Sequence, residues 1–296
     1  MADFFIALTP SLIFGVMSLL LVALGGDYRQ QTMGEVTGGL LIALVLTPFF
    51  GVEWDLRTVL VAFTTGAVLG VGILYQVRGL NHIGVSRTMP ISTGAQLVGM
   101  ALGGIILFGE WRGPGAMPIG MLALVLLTAG VTCTTWTEGN PVREGVDWGA
   151  GRVDLVVSTI CLVGYLLVQR HFGIGGQEAM LPQFAGCALA CLVLTSPRFT
   201  PELGERDTRW SRVTVRQLFP GVLWGLGVLL MQTNAARVGV AMGFSLSQLG
   251  VIISTLGGIF LLGEKRTRRE LVTTMAGVVL VVAGAILIGV AKALDS

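Results

Sequence analysis

Charged side chains in this chain come in short clusters, and the runs between clusters are about as long as a bilayer is thick. The stretches 4–26, 58–77, 88–109, 113–137, 179–197, 217–236, 238–263 and 271–291 contain no Asp, Glu, Lys or Arg. Crossing the hydrocarbon core takes about 20 apolar residues, with a usable range of roughly 17–25. Two shorter charge-free stretches, 36–52 and 155–169, are long enough if flanking polar groups reach the interface. The spacing therefore predicts an all-α integral membrane protein with ten transmembrane helices. Barrel strands would instead give runs of about ten residues with alternating polarity.

Composition agrees. Of the 296 residues only 12% are charged and 53% are hydrophobic, against roughly 25% charged in a soluble domain. Mean hydropathy is +0.80. The net charge of +2 is too small to suggest a nucleic-acid partner. The chain opens MADFF, without a basic segment before its first apolar run, so that run reads as a span and not as a signal peptide. The four cysteines, Cys133, Cys161, Cys187 and Cys191, all fall inside predicted spans and read as packing residues, neither disulfide-forming nor metal-binding.

The chain writes one phrase twice. GGIILFGEW (Gly103 to Trp111) returns as GGIFLLGEK (Gly257 to Lys265), and GAVLGVG (Gly66 to Gly72) returns as GVLWGLG (Gly221 to Gly227) with its glycines at the same spacing. Gly84-Val85 and Gly239-Val240 follow at matching distance. The expected units are a first five-helix repeat, 1–136, a polar linker, 137–152, and a second five-helix repeat, 153–296. Five is odd, so the second repeat enters the membrane from the opposite side. Inverted repeats with a midplane site between them are a recurring architecture of secondary transporters. Gly66 and Gly70, Gly221 and Gly225, and Gly99 and Gly103 each form a G-x-x-x-G pair, which lets helix backbones approach closely. Loops after odd-numbered spans carry most of the 19 basic residues, which places them in the cytoplasm by the positive-inside rule.

No catalytic motif stands out, and GIFLLGEK lacks the Lys-Ser/Thr ending of a phosphate loop. A membrane-embedded enzyme or sensor scaffold would need a reactive cluster or an output domain, and neither is visible. What remains is polar residues inside spans, which are costly in hydrocarbon and face a bundle interior or a wet cavity. Thr88, Ser92 and Gln96 recur every fourth residue on one helical face, with Thr93 beside them. The matching span of the second half carries Ser245, Gln248 and Thr255, with Ser247 and Ser254 nearby. Pro90 lacks an N–H and frees the carbonyl of Ser86. Two amides supported by hydroxyls suit an uncharged polyhydroxylated ligand. Tyr75 with Gln76, Tyr165 and Trp224 lie at membrane depth, where a ring can pack on a sugar's apolar face. Glu35 and Asp154 sit where the two short spans begin, and Glu110 and Glu264 end the matched helices. With Arg87 these are the candidates for coupling or gating; no metal site and no cofactor are expected.

IGVSRTMPISTGAQLVG (Ile83 to Gly99), LFGEW (Leu107 to Trp111), FPGVLWGLG (Phe219 to Gly227) and VGVAMGFSLSQLGVIISTLGGIFLLGEK (Val238 to Lys265) resemble the glucose/ribose porter family of the drug/metabolite transporter superfamily. The resemblance runs essentially the full length. It implies ten helices in two inverted repeats and import of a monosaccharide such as glucose across the bacterial inner membrane, driven by an H+ or Na+ gradient. Arg87 departs from the small polar residue expected before Thr-Met-Pro; it adds charge to the cavity or snorkels to the interface. Export of amino acids, drugs or other metabolites, as elsewhere in the superfamily, is the alternative. Partners are then the substrate, a coupling ion and lipid.

Overall fold

The structure, a computed structural model, describes residues 2–136, 138, 146–238 and 247–295, the side chains of 2–8, 135, 232–238, 292 and 295 excepted. Among the described residues ten α-helices follow one another: α1 (Ala2–Ala23), α2 (Tyr28–Leu46), α3 (Leu56–Ile83), α4 (Val85–Phe108), α5 (Ala116–Thr135), α6 (Trp148–His171), α7 (Gln177–Leu194), α8 (Arg212–Val238), α9 (Gly250–Phe260) and α10 (Arg268–Asp295). Eight are long and apolar enough to cross a membrane; Thr9–Ala23 of α1 and Gly250–Phe260 are shorter apolar helices.

The charge clusters start several of these helices. Asp27, Asp55 and Asp147 are the N-caps of α2, α3 and α6, each accepting a main-chain N–H from the first turn. A side-chain acceptor there satisfies an otherwise orphaned donor, and its negative charge suits the helix dipole. Asp27 and Gln30 exchange bonds as a capping box. For that reason α2 and α6 begin earlier than the charge-free stretches do. Glu35 lies in the third turn of α2 and Asp154 in the second turn of α6, both inside the bundle and not at its rim.

The repeated Gly-Glu has a structural meaning. Gly109 and Gly263 both adopt positive φ, +64° and +69°, a conformation glycine takes without a Cβ clash. The next residue, Glu110 or Glu264, then turns its N–H back onto the carbonyl of Gly104 or Gly258, 3.1 Å in each case. A Cβ on Gly104 would collide with the Glu110 carboxylate, and one on Gly258 would crowd that of Glu264.

Helices pack mainly as α5–α10, α2–α8, α3–α7, α3–α6 and α1–α8, followed by α1–α9, α4–α5, α2–α7, α4–α9 and α4–α6. The glycine pairs lie at these seams. Gly66 and Gly70 of α3 abut the backbone of Gln183 and Cys187 on α7. Gly221 and Gly225 of α8 abut Glu35 and Gly39 on α2, and Gly99 and Gly103 of α4 receive Val163 and Leu167 of α6.

Contacts among the connecting segments sort into two groups. Arg29 donates to Thr200 and to the Gly204 carbonyl, Asp147 N–H to the His82 carbonyl, and Arg269 to Glu138. Glu264 accepts from Val85 N–H. These join segments that follow odd-numbered helices. Trp54 Nε1 donates to the Glu178 carbonyl, Arg57 lies over the Phe172 ring and Arg170 pairs with Glu110. These join segments that follow even-numbered helices.

Candidate functional site

The polar face of α4 is a connected run. Thr88 Oγ1 donates to the Gly79 carbonyl of α3 at 2.9 Å. Ser92 Oγ accepts from Gln76 Nε2 of α3 at 2.8 Å and from Gln96 Nε2 at 2.9 Å. Ser92 and Thr93 are buried, whereas Gln76 and Gln96 are half-buried. Each amide spends one N–H on Ser92, and neither amide oxygen bonds another described residue, so donors and acceptors are left for a ligand. The Ser86 carbonyl released by Pro90 does not go unmet: Arg266 Nη2 approaches it at 3.5 Å and Ser86 Oγ at 3.2 Å. With that support α4 runs through Pro90 without interruption.

Across the α4–α9 contact, Ser247 is buried and Gln248 half-buried. Gln248 and Leu249 form a turn before α9, their carbonyls accepting from Val251 and Ile252 N–H at 3.1 Å with three-residue spacing. The tighter turn sets Gln248 off from the α-helical ladder that follows. Ser254 bonds back to the Gly250 and Val251 carbonyls, while Thr255 Oγ1 is buried with no hydrogen bond to a described residue. Ser245 lies outside the described residues.

The aromatic candidates separate. Tyr165 and Trp224 are buried in one apolar cluster, with Trp224 edge-on to Phe184 at 4.9 Å between ring centres, an ordinary packing geometry. Tyr75 is half-buried, and the Arg78 guanidinium stands 5.2 Å from its ring centre and 5.2 Å from that of Tyr28.

The charged candidates also differ from one another. Glu35 is 2% exposed, its Oε2 has no hydrogen-bond partner, and no described basic side chain pairs with it. Asp154 pairs with Arg78 Nε at 3.3 Å and with His82 Nδ1 at 2.6 Å. Glu110 pairs with Arg170. Glu264 accepts from Val85 N–H at 2.6 Å and from Ser86 N–H at 3.1 Å and also receives the Ser86 hydroxyl, capping α4. Arg87 is buried, its Nη1 donating to the Ile83 carbonyl at 3.2 Å. Tyr28, His82 and Glu202 join this end of the molecule without having been marked by the sequence. The Tyr28 hydroxyl donates to Glu202, and Arg78 Nη1 lies 3.9 Å from the same carboxylate. Burial works against the charge of Glu202, but the Tyr28 bond and the nearby Arg78 and Arg29 hold its carboxyl below the usual range.

A model of the sugar transport protein family matches residues 5–291. The chain belongs to that family. It is 38% identical to the glucose uptake protein GlcU of Bacillus subtilis, over 98% of this chain and 99% of the relative. It is 39% identical to the glucose uptake protein GlcU of Staphylococcus xylosus, over 95% of each. A crystal structure of another protein superposes with a TM-score of 0.63 at 16% identity, covering 96% of this chain and 98% of that one, and shows likeness of fold alone. Family and helices together make this sugar transport protein family member a multi-pass membrane protein and a transporter, not an enzyme. The exporter alternative has no support in these relatives' names.

Proposed function

We propose that this chain imports a monosaccharide, glucose or a similar sugar, across the bacterial inner membrane by alternating access between two inverted halves, 1–136 and 153–296, joined by the linker 137–152, whose last residues, Trp148 to Arg152, already form the start of α6. The observation that carries the substrate class is the Gln76–Ser92–Gln96 run, uncharged and rich in donors and acceptors, in a chain whose relatives are named for glucose uptake. In this reading Gln96 and Gln248, with Ser92, Thr93, Ser245 and Ser247, bond sugar hydroxyls, and Tyr75 and Gln76 complete the wall. Tyr165 and Trp224 support that wall from the apolar core behind it.

The helix pairing favours the inverted halves. Adding or subtracting five from each helix number turns α3–α7 into α8–α2, α3–α6 into α8–α1 and α4–α6 into α9–α1, while α5–α10 and α4–α9 map onto themselves. The glycine seams follow the same exchange. The odd-with-odd and even-with-even contacts of the connecting segments fit helices that alternate direction, which turns the second half upside down. Ten transmembrane helices and odd-loop segments in the cytoplasm complete the topology.

Among the coupling candidates Glu35 is best placed for H+ or Na+. It sits on the α2–α8 glycine seam, buried without a basic partner among the described residues, whereas Asp154, Glu110 and Glu264 are engaged by cations or by main-chain amides. An uncompensated buried carboxylate is costly, so occupancy of Glu35 by a cation is linked to how that seam packs. Uptake of labelled glucose by a transport-deficient host, with competing sugars and with or without a proton uncoupler, tests the reading. Saturable uptake competed by related sugars is expected; absence of uptake in cells that hold the protein in the membrane contradicts it.

A further inference from the structure

We propose that Arg78 is the pivot of a gate that closes the odd-loop end of the transport path by tying the two halves together. The inference rests on the alternating-access reading above. Arg78 and its two flanking rings, Tyr28 and Tyr75, belong to the first half, and its carboxylate partners, Asp154 and Glu202, belong to the second. His82, one turn beyond Arg78 on α3, holds the other oxygen of Asp154.

The geometry distinguishes a releasable contact from a static strap. Nearby Arg29, also of the first half, is fully buried and bonds Thr200 and the main-chain carbonyls of Gly204 and Arg206 in the second, a strap that keeps the start of α2 with the α7–α8 connection while Arg78 stands on α3. The Arg78 side chain keeps 24% of its surface, and its carboxylate contacts are longer, at 3.3 and 3.9 Å. Two aromatic faces can hold the guanidinium through cation–π attraction after a carboxylate has moved away. A buried ion pair is in itself weak evidence for stability, because desolvation offsets its attraction; a partly wet pair between moving bodies has a switching use.

The opposite end carries a counterpart. Arg170 of the second half pairs with Glu110 of the first and stands 4.4 Å from the ring centre of Phe108. Asp154 and Arg170 are both on α6, about 24 Å apart along its axis at 1.5 Å per residue. Between those ion pairs α6 packs on α3 and on the Gly99 and Gly103 seam of α4, so tilting it about that packing loosens one pair while keeping the other. The Asp154 pair is the more buried, its arginine and carboxylate 24% and 2% exposed against 37% and 11% for Arg170 and Glu110, so the odd-loop end is the more tightly closed in this conformation.

Ser158, one turn deeper than Asp154 on α6 and fully buried, is the reporter position. Ser158→Cys is made in a background where Cys133, Cys161, Cys187 and Cys191 are alanine, and labelling by a membrane-impermeant maleimide is followed in inside-out vesicles. Adding Arg78→Gln is expected to raise the labelling rate about tenfold or more, the shift that a modest change in state population gives, and to lower glucose uptake. Arg78→Lys, which keeps the charge without the planar face, falls between. If Arg78→Gln does not reach the membrane, Tyr28→Phe, which removes only the hydroxyl bond to Glu202, is read the same way and is expected to raise labelling about threefold. Labelling that stays at the parent rate overturns the gate even where the parent transports sugar. A labelling increase where the parent carries no sugar keeps Arg78 as the closure of this end of the bundle and overturns the transport reading.

Discussion

The Glu264 carboxylate sits on the first amides of α4, 2.6 Å from Val85 N and 3.1 Å from Ser86 N, so the last charged residue of one repeat's matched helix caps the start of the other repeat's. The Gly-Glu ending thus acts twice. Its backbone closes its own helix, and the side chain of the second copy opens another 178 to 179 positions away.

Removing that cap should destabilise the protein without touching the polar face. Glu264→Ala is expected to cost about 1–2 kcal/mol, as loss of a good cap does. Thermal unfolding in detergent checks it: a lower Tm is expected, with Glu264→Gln closer to the parent. An unchanged Tm would show that α4 needs no cap there.

Glycine seams make a contrasting pair. A Cβ at Gly66 would collide with the Gln183 carbonyl, while one at Gly164 meets nothing within 4 Å. Gly66→Ala is expected to cost about 1–3 kcal/mol through overpacking. Gly164→Ala, in the interior of α6, is expected to be neutral or stabilising by up to about 1 kcal/mol through reduced chain entropy. The same unfolding measurement separates them; equal effects would contradict the seam geometry.

Side chains in the polar run should alter sugar affinity more than stability. Gln96→Ala and Gln248→Ala each remove one amide, and each is expected to raise KM about three- to tenfold, the loss of a net hydrogen bond. Ser92→Ala frees both Gln76 and Gln96 from their shared acceptor and is expected to raise KM by a similar factor. Initial rates of glucose uptake at matched membrane levels are the check, and unchanged kinetics would remove that residue from the site.

Glu35→Gln tests coupling. Gln183 occupies the matching place on the other seam: Gly66 abuts its carbonyl as Gly221 abuts that of Glu35. An amide is therefore compatible with this packing. The variant is expected to insert normally and to equilibrate sugar without accumulating it, whereas accumulation that still collapses with an uncoupler would exclude Glu35 as the coupling group.

Much of the fold was legible because lipid makes simple demands. Charge-free runs marked helices, eight of them long and apolar enough to cross a membrane, and the Gly66/Gly70 and Gly221/Gly225 pairs marked seams, since close helix approach needs small residues at fixed spacing. The starts of α2 and α6 were less legible. Glu35 and Asp154 looked like rim charges because hydropathy cannot tell a solvated carboxylate from one inside a bundle. Of the polar run, the α4 face was readable from its four-residue period. Gln76 and Asp154 were candidates too, but the Gln76–Ser92 bond and the Arg78–Asp154–Glu202 contacts span 16 to more than 100 positions, and such pairings have no local signature. Tyr165 and Trp224 show the converse: aromatics at membrane depth that pack against Phe184 and its neighbours.

Purified protein in proteoliposomes, given labelled glucose and an imposed inward proton gradient, tests whether this chain by itself carries sugar inward. Time-dependent, glucose-specific accumulation that Gln96→Ala weakens is the predicted result. No sugar entry above protein-free vesicles, from protein shown to be folded, would contradict it.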